Sequence, residues 1–287
     1  NAPAWYDRFE AQGKIQIARG RFEGFHFSNL GTDLVLERRV WRLENFAAGS
    51  SGGKIEGRAS FYDRPTPGIE YVLEPKIQGV PVQEFLGWFD NNTREITGAV
   101  NVVGKVESSG ASMAERRRNM NGQFQLEIQE GVLRRMPLLL RILNLMDLTR
   151  WFSFKLPDLN QQGILFRKVT GDFKVAHGVY TTKNLVVDSD DIGISGSGQY
   201  DAPNDTIDAV LALRPFPKIG SVVSYIPLIG PGIAGIQGSF LVASFHVTGP
   251  VDDATITPAP LSTLSEFFFS ALKIPQKMLT LPGSGAK

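Results

Sequence analysis

The chain contains three histidines, His26, His177 and His246, whose side chains are suited to proton transfer or metal binding near neutral pH. A catalytic or metal-binding histidine needs a carboxylate, a serine or a second ligand close by. None of the three has such a partner at a recognisable spacing, so we expect all three at solvent-facing strand positions. The 29 acidic residues include no distinctive pair, and the absence of cysteine excludes thiolate chemistry. We therefore expect a protein without enzymatic activity, cofactor or metal.

Two short segments resemble ligand-binding loops but lack essential residues. Segment 50–54 is similar to a phosphate-binding loop, yet Ala48 replaces the first glycine and Ile55 replaces the magnesium-binding hydroxyl. Segment 188–193 begins like a calcium loop, but its fifth position is Ile192, which has no oxygen ligand. Both segments are predicted to be turns.

The charges of the chain nearly cancel at +1, which gives no general attraction to nucleic acid. The strongest local charge is the run Arg116–Arg118. This run could contact a phosphate or an anionic headgroup, but short basic runs are more typical of hydrated segments. We expect a loop over Ser108–Ala114 leading into it.

Alternating polarity predicts strands along most of the chain. Phe124, Leu126 and Ile128 alternate with glutamine and glutamate, as in a strand with one apolar and one hydrated face. That strand is expected to stop at Gly131, and residues 14–27 predict a hairpin with its turn at Arg19-Gly20. Further strands are predicted over 33–37, 40–46, 54–62, 69–77, 95–106, 165–176, 179–188, 192–200, 206–213 and 239–248.

Two glycine patterns recur at irregular separations. In the first, an alternating stretch ends in a turn glycine, at Gly20, Gly131 and Gly178. In the second, an aliphatic residue, a polar residue and a glycine lie inside a strand, which usually marks a bend or a close approach of two chains. Its copies end at Gly57, Gly98, Gly171, Gly196 and Gly238. Together the patterns predict a mainly β protein with an elongated, curved antiparallel sheet and a few amphipathic helices.

Helices are predicted at three places. Residues 81–90 favour a short helix, and residues 136–146 favour an apolar helix of about 18 Å, too short to cross a bilayer. Thr263 and Glu266 form a capping box before an amphipathic helix. The uncharged run 219–245 is long enough to span a membrane, but its prolines and glycines favour a buried loop and a strand.

Several segments between about Gly122 and Pro260 follow the order of one known family of proteins. These segments are Asn121–Leu133, Met136–Leu145, Leu156–Leu159, Gly163–Phe173, His177–Tyr180, Asn184–Ser189, Ser195–Asp201, Ile226–Gly230 and Thr248–Ala254. They resemble the C-terminal region of the AsmA-like family of bacterial envelope proteins. The resemblance implies a periplasmic location and an inner-membrane anchor by an N-terminal helix outside these residues. It also implies that the sheet forms a trough, either an open groove or a taco-like fold, that passes phospholipid tails between the inner and outer membranes.

On this hypothesis the partners are phospholipid, the two membranes and possible envelope proteins, but not nucleic acid. The predicted groove residues are Ile15, Ile17, Phe124, Leu126, Ile128, Phe173, Val175, Phe245 and Val247. The apolar helix near 138–146 and Phe267–Phe269 could either line the groove or form core. We predict a β-hairpin section over 1–110, an AsmA-like section over 111–260 and a helix and tail over 261–287. The alternative function is a periplasmic scaffold that assists outer-membrane protein assembly through protein contacts, and an envelope hydrolase is a third possibility.

Overall fold

The computed structural model describes residues 9–22, 25–63, 68–87, 95–134, 141–142, 163–190, 192–215 and 242–260. The strands of this part form one antiparallel sheet, in which each strand pairs with the next one along the chain. The sheet has 13 strands and is not closed, because β1 and β13 are its edges. The prediction of a mainly β protein with an open antiparallel sheet is confirmed.

The first part of the chain contains seven strands and two short helices. Their bounds are β1 Glu10–Phe22, β2 Phe25–Glu37, β3 Val40–Ser50, β4 Gly53–Tyr62, β5 Ile69–Pro81, α1 Val82–Gly87, β6 Ala99–Gly110, α2 Met113–Arg118 and β7 Asn121–Leu133. The second part contains β8 Ile164–Ala176, β9 Val179–Asp188, β10 Ile192–Asp201, β11 Thr206–Pro215, β12 Ala243–Pro250, a 3-10 turn Val251–Asp253 and β13 Thr255–Pro258.

The chain forms two compact units. Unit 1 comprises Asn1–Gly131, Asp172–Thr181 and Asp201–Asn204, and unit 2 comprises Val132–Gly171, Thr182–Tyr200 and Asp205–Lys287. The predicted section boundaries at residues 110 and 260 stay predictions. Buried cores occur in both units, around Val80 and Val100 in unit 1 and around Leu213 and Val247 in unit 2.

Tight turns set the register of the first hairpins. Ser51 and Gly52 join β3 to β4 with φ of 45° and 90°, the left-handed pair that suits a two-residue hairpin. The predicted turn at residues 50–54 is thereby confirmed. Arg38 and Arg39 adopt the same left-handed conformation between β2 and β3, although a pair of arginines does not predict such a turn.

Several details of the predicted elements are wrong. β1 continues through Arg19 and Gly20 to Phe22, because its whole length pairs with β2 in one register. β7 continues past Gly131 to Leu133. Ser108–Gly110 belong to β6, and α2 begins at Met113, where the sequence predicted a loop. The third turn glycine, Gly178, does lie in a turn, between β8 and β9.

The predicted helix at 81–90 is confirmed as α1. Of the apolar helix at 136–146, only residues 141 and 142 are described, and both are helical. Ile142 is fully buried. The predicted C-terminal helix, most of the uncharged run 219–245 and Gly238 lie outside the described residues.

Candidate functional site

The sheet of unit 1 has one apolar face, which the strand register defines. Residues that lie directly opposite each other in neighbouring strands project their side chains to the same side. One such row contains Ala48, Ile55, Ile77 and Val102, all buried, and ends at the part-exposed Leu126 of β7. We call the side that carries this row the apolar face.

A second row on the apolar face keeps solvent-accessible surface. It runs across β2 to β6 through Leu34, Leu43, Ala59, Leu73 and Val106, none of which is fully buried. A third row, Trp41, Phe61 and Tyr71, lies beside it, and Trp41 is 44% exposed. We call these eight residues, together with Phe124 and Leu126 of β7, the open strip. The strip crosses the strands rather than following one of them.

The opposite face of unit 1 is polar and carries ion pairs between neighbouring strands. Arg58 of β4 pairs with Glu74 of β5, and Lys105 of β6 lies 3.6 Å from the same carboxylate. Glu56 pairs with Lys54 of the same strand at 2.5 Å and lies 4.0 Å from Lys76 of β5. The hydrogen bond from Arg58 holds the pKa of Glu74 below its ordinary value, and the one from Lys54 does the same for Glu56. This face is therefore arranged for contact with water.

The apolar face is closed at the end of the strands where α1 lies. Val80, Val82 and Val100 are almost completely buried there. The hydroxyl of Ser50, also buried, lies 3.0 Å from both the Glu84 carboxylate of α1 and the carbonyl of His26. The side chains near α1 thus form an ordinary packed core, and the accessible part of the face is the open strip.

The helix α2 lies at the other side of the open strip. The Ser108 hydroxyl, which shares the apolar face with Tyr71, donates to the Arg116 carbonyl at 2.5 Å. Ser112 caps the helix by accepting the Glu115 N–H at 3.1 Å, and the Glu115 carboxylate accepts the Ala111 N–H at 2.7 Å. The predicted arginine run therefore occupies the last turn of a short helix beside the strip.

An aromatic cluster continues the open strip onto β8 and β9. Phe124 stacks on Phe173 with ring centroids 5.0 Å apart and an angle of 13° between the rings. Tyr180 meets the edge of Phe124 at 6.4 Å, and its hydroxyl lies 3.0 Å from the sulfur of Met120. Burial raises the pKa of Tyr180.

The nine predicted groove residues divide into two groups by their exposure. Ile15, Ile17, Phe124, Leu126 and Phe173 keep solvent-accessible surface, and Ile17 is 40% exposed. The other four are buried in the protein, namely Ile128, Val175, Phe245 and Val247. The structure brings Phe124 and Phe173 into contact. The role of all nine as groove residues stays a prediction.

Sequence reasoning missed most of the open strip, including Trp41, Phe61, Tyr71 and Leu73. Their strands do alternate in polarity, but valines on the polar face, such as Val72 and the 48% exposed Val103, blur the pattern. These residues form rows through the register between strands, which the polarity pattern of a single strand does not predict.

The histidines are exposed, as expected, but only two lie on strands. His26 is on β2 and His246 on β12, whereas His177 begins the turn after β8 with φ of 50°. His246 has an acidic partner that its sequence spacing does not reveal, Asp208, with 2.7 Å between its Nε2 and the carboxylate. No cluster of ligands for a metal ion occurs in the described part of the chain.

The turn at residues 188–190 of unit 2 is built around an arginine. Arg167 of β8 pairs with Asp188 at 2.5 Å and also with Asp190. The Ser189 hydroxyl, which is buried, donates to the Leu165 carbonyl at 2.6 Å. Two of the acidic side chains that suggested a calcium loop, Asp188 and Asp190, are thus engaged by a guanidinium.

A family model described as YhdP protein matches residues 13–256. The chain belongs to the YhdP family. This family is one of the AsmA-like families, which agrees with the resemblance in the sequence. Comparisons with curated proteins and with solved structures gave no match. Across the described part of this YhdP-family chain, no helix combines the length and the apolar character needed to cross a membrane.

Proposed function

We propose that this YhdP-family chain is a non-enzymatic, lipid-conducting segment of a periplasmic bridge. In this proposal phospholipid acyl chains lie on the open strip and pass between the inner and outer bacterial membranes. The full-length protein is held in the inner membrane by an N-terminal helix outside these residues, and the lipid supply supports the outer-membrane barrier.

The observation that carries the proposal is the open strip itself. Ten apolar and aromatic residues in neighbouring strands keep accessible surface on one face of the sheet. A sheet face of this kind normally packs against another layer, because contiguous exposed apolar surface is unfavourable in water. Acyl chains supply a cover with the same apolar character.

The dimensions of the strip suit an acyl chain. Neighbouring strands lie about 4.8 Å apart, so the distance from β2 to β7 is about 24 Å. One lipid tail spans half of a hydrocarbon core of about 30 Å, or about 15 Å. Removing a tail from water is worth about 0.8 kcal/mol per methylene, so partial cover by the strip already favours binding.

The two faces of unit 1 support a fixed orientation of the lipid. The polar face is hydrated and carries the ion pairs of Glu56 and Glu74, which are costly to bring into contact with hydrocarbon. The tails are therefore confined to the apolar face. No reaction is needed for this role, because the affinity comes from removing apolar surface from water.

Site-specific photo-crosslinking in bacterial cells tests the proposal. A photoreactive residue at Phe124, on the open strip, is expected to capture phospholipid, detected by mass spectrometry of the purified protein. The matched control is Gln125, the next residue of the same strand, which is exposed on the polar face. Equal capture of phospholipid at both positions would refute its placement on the open strip. Capture of proteins alone at Phe124 would refute lipid binding and favour the scaffold alternative.

A further inference from the structure

The arginines of α2 lie at one edge of the open strip. The Arg116 carbonyl accepts the hydrogen bond from Ser108 on the apolar face, so the helix backbone covers that end of β6. A side-chain carbon at Gly110 would lie 2.6 Å from the Cβ of Glu115, which shows how closely α2 approaches the sheet. Arg116, Arg117 and Arg118 form the last turn of α2.

The charges of Arg116 and Arg118 in this turn are poorly compensated in the described part of the chain. Glu115 is the single acidic residue of α2, and its carboxylate is directed to the Ala111 N–H. Within the described residues, neither Arg116 nor Arg118 has a carboxylate partner, in contrast to Arg42 and Arg58 on the polar face. The Nε of Arg116 is shielded from water and has no hydrogen-bond acceptor within the same part of the chain. The Arg117 and Arg118 side chains are exposed, so an anionic group can approach this turn from solvent.

The aromatic cluster lies close to the same arginines. The positive charge of Arg117 opposes the rise in the pKa of Tyr180, and the hydroxyl of Tyr71 adds to that rise. The Gly178 N–H donates to the Met120 carbonyl at 2.9 Å, and a side-chain carbon at Gly178 would overlap the Arg117 carbonyl. The end of α2 therefore lies against the turn that leads into Tyr180. The ring of Tyr180 also contacts Phe124, which stacks on Phe173. Hydrogen-bond donors and apolar rings thus meet at one place within unit 1.

We propose that the last turn of α2 binds the phosphate of a phospholipid whose acyl chains lie on the open strip. This inference rests on the proposed function and adds to it a site for the headgroup. Guanidinium groups bind phosphate oxygens through paired, charge-assisted hydrogen bonds, which arginine forms better than lysine.

The surroundings favour a lipid phosphate over a free one. The rings of Phe124 and Phe173 make no favourable contact with inorganic phosphate, whereas they pack against the first methylenes of an acyl chain. A ligand that combines an anionic group with hydrocarbon uses both halves of the site. The site therefore selects a phospholipid by its head and its tail together.

Three soluble probes separate the two halves of the site: dihexanoylphosphatidylglycerol, dihexanoylglycerol, which lacks the phosphate, and inorganic phosphate. Binding to the chain of residues 1–287 is measured by calorimetry, with the probes below their micelle-forming concentrations. We expect the phosphatidylglycerol to bind about tenfold or more tightly than the other two probes, because charge-assisted hydrogen bonds add to acyl contact. R116Q/R117Q is expected to remove this advantage and to leave binding of dihexanoylglycerol unchanged.

The matched control is K174Q/K183Q, which removes two positive charges from exposed positions and is expected to bind all probes normally. R117Q alone alters an exposed side chain. We expect this variant to bind the phosphatidylglycerol several-fold more weakly and to fold normally. Unchanged phosphatidylglycerol binding by R116Q/R117Q, or equally tight binding of inorganic phosphate to the unaltered chain, would overturn the headgroup site. Phosphatidylglycerol binding that needs both arginines, without any binding of dihexanoylglycerol, would instead support the phosphate site and refute the acyl-chain proposal.

Discussion

A charge on the open strip is expected to separate lipid binding from folding. Leu126 ends the buried row on β7 but is itself part-exposed, and it lies opposite Val102. In L126D the carboxylate can remain partly hydrated, so we expect a loss of about 1–2 kcal/mol in the free energy of unfolding. An acyl chain crossing β7 would have to dehydrate that carboxylate or withdraw from it.

The magnitude of the effect on lipid binding follows from the number of methylenes that leave the strip. Withdrawing a few methylenes, at about 0.8 kcal/mol each, costs about 2–3 kcal/mol, or roughly a 30- to 150-fold weaker affinity. Lipid binding is measured by native mass spectrometry of co-purified phospholipid and by transfer of fluorescent phospholipid between vesicles. The free energy of unfolding is measured by urea denaturation of the same preparations.

Two matched variants make the experiment decisive. Q125D places the same charge on the neighbouring, exposed residue of the polar face, and normal lipid binding is expected. I128D places it in the buried core, where an unpaired charge is expected to destabilise the fold strongly. Normal lipid binding by L126D, or equal losses in L126D and Q125D, would refute the assignment of the open strip to lipid.

Two further predictions concern the sheet that carries the strip. R58Q is expected to let the pKa of Glu74 rise toward its ordinary value, which carboxyl NMR titration measures. Since the paired carboxylate has the lower pKa, its contribution to stability is present above the unfolded value and is lost as the pH falls through the folded one. Urea midpoints of R58Q and the unaltered chain should therefore differ slightly at pH 7 and converge in acid, and a difference that persists in acid would contradict this reasoning. G57A is expected to lower the free energy of unfolding by more than about 1 kcal/mol, because φ is 152° and the added carbon would overlap the Glu74 carbonyl. An unchanged urea midpoint would show that the strands can separate there.

The polarity pattern predicted the strands well because the alternation of apolar and polar residues is local. The Phe124, Leu126 and Ile128 set was correctly placed on one face of β7. The turn at 50–54 was also recognised, since Ser-Gly pairs favour left-handed φ. The end of β1 was predicted wrongly, because Arg19-Gly20 resembles a turn in the sequence. In the structure, pairing with β2 extends the strand beyond these residues.

The sequence by itself determined that this chain is a mainly β protein whose strands have one apolar and one hydrated face, because side-chain alternation depends only on neighbouring residues. The tertiary structure alone decided which apolar side chains are buried beside α1 and which remain accessible on the open strip. It also placed the end of α2 against the turn that leads into Tyr180. Those outcomes depend on the register between strands and on where the short helices pack, and both are set by contacts between residues distant in the chain.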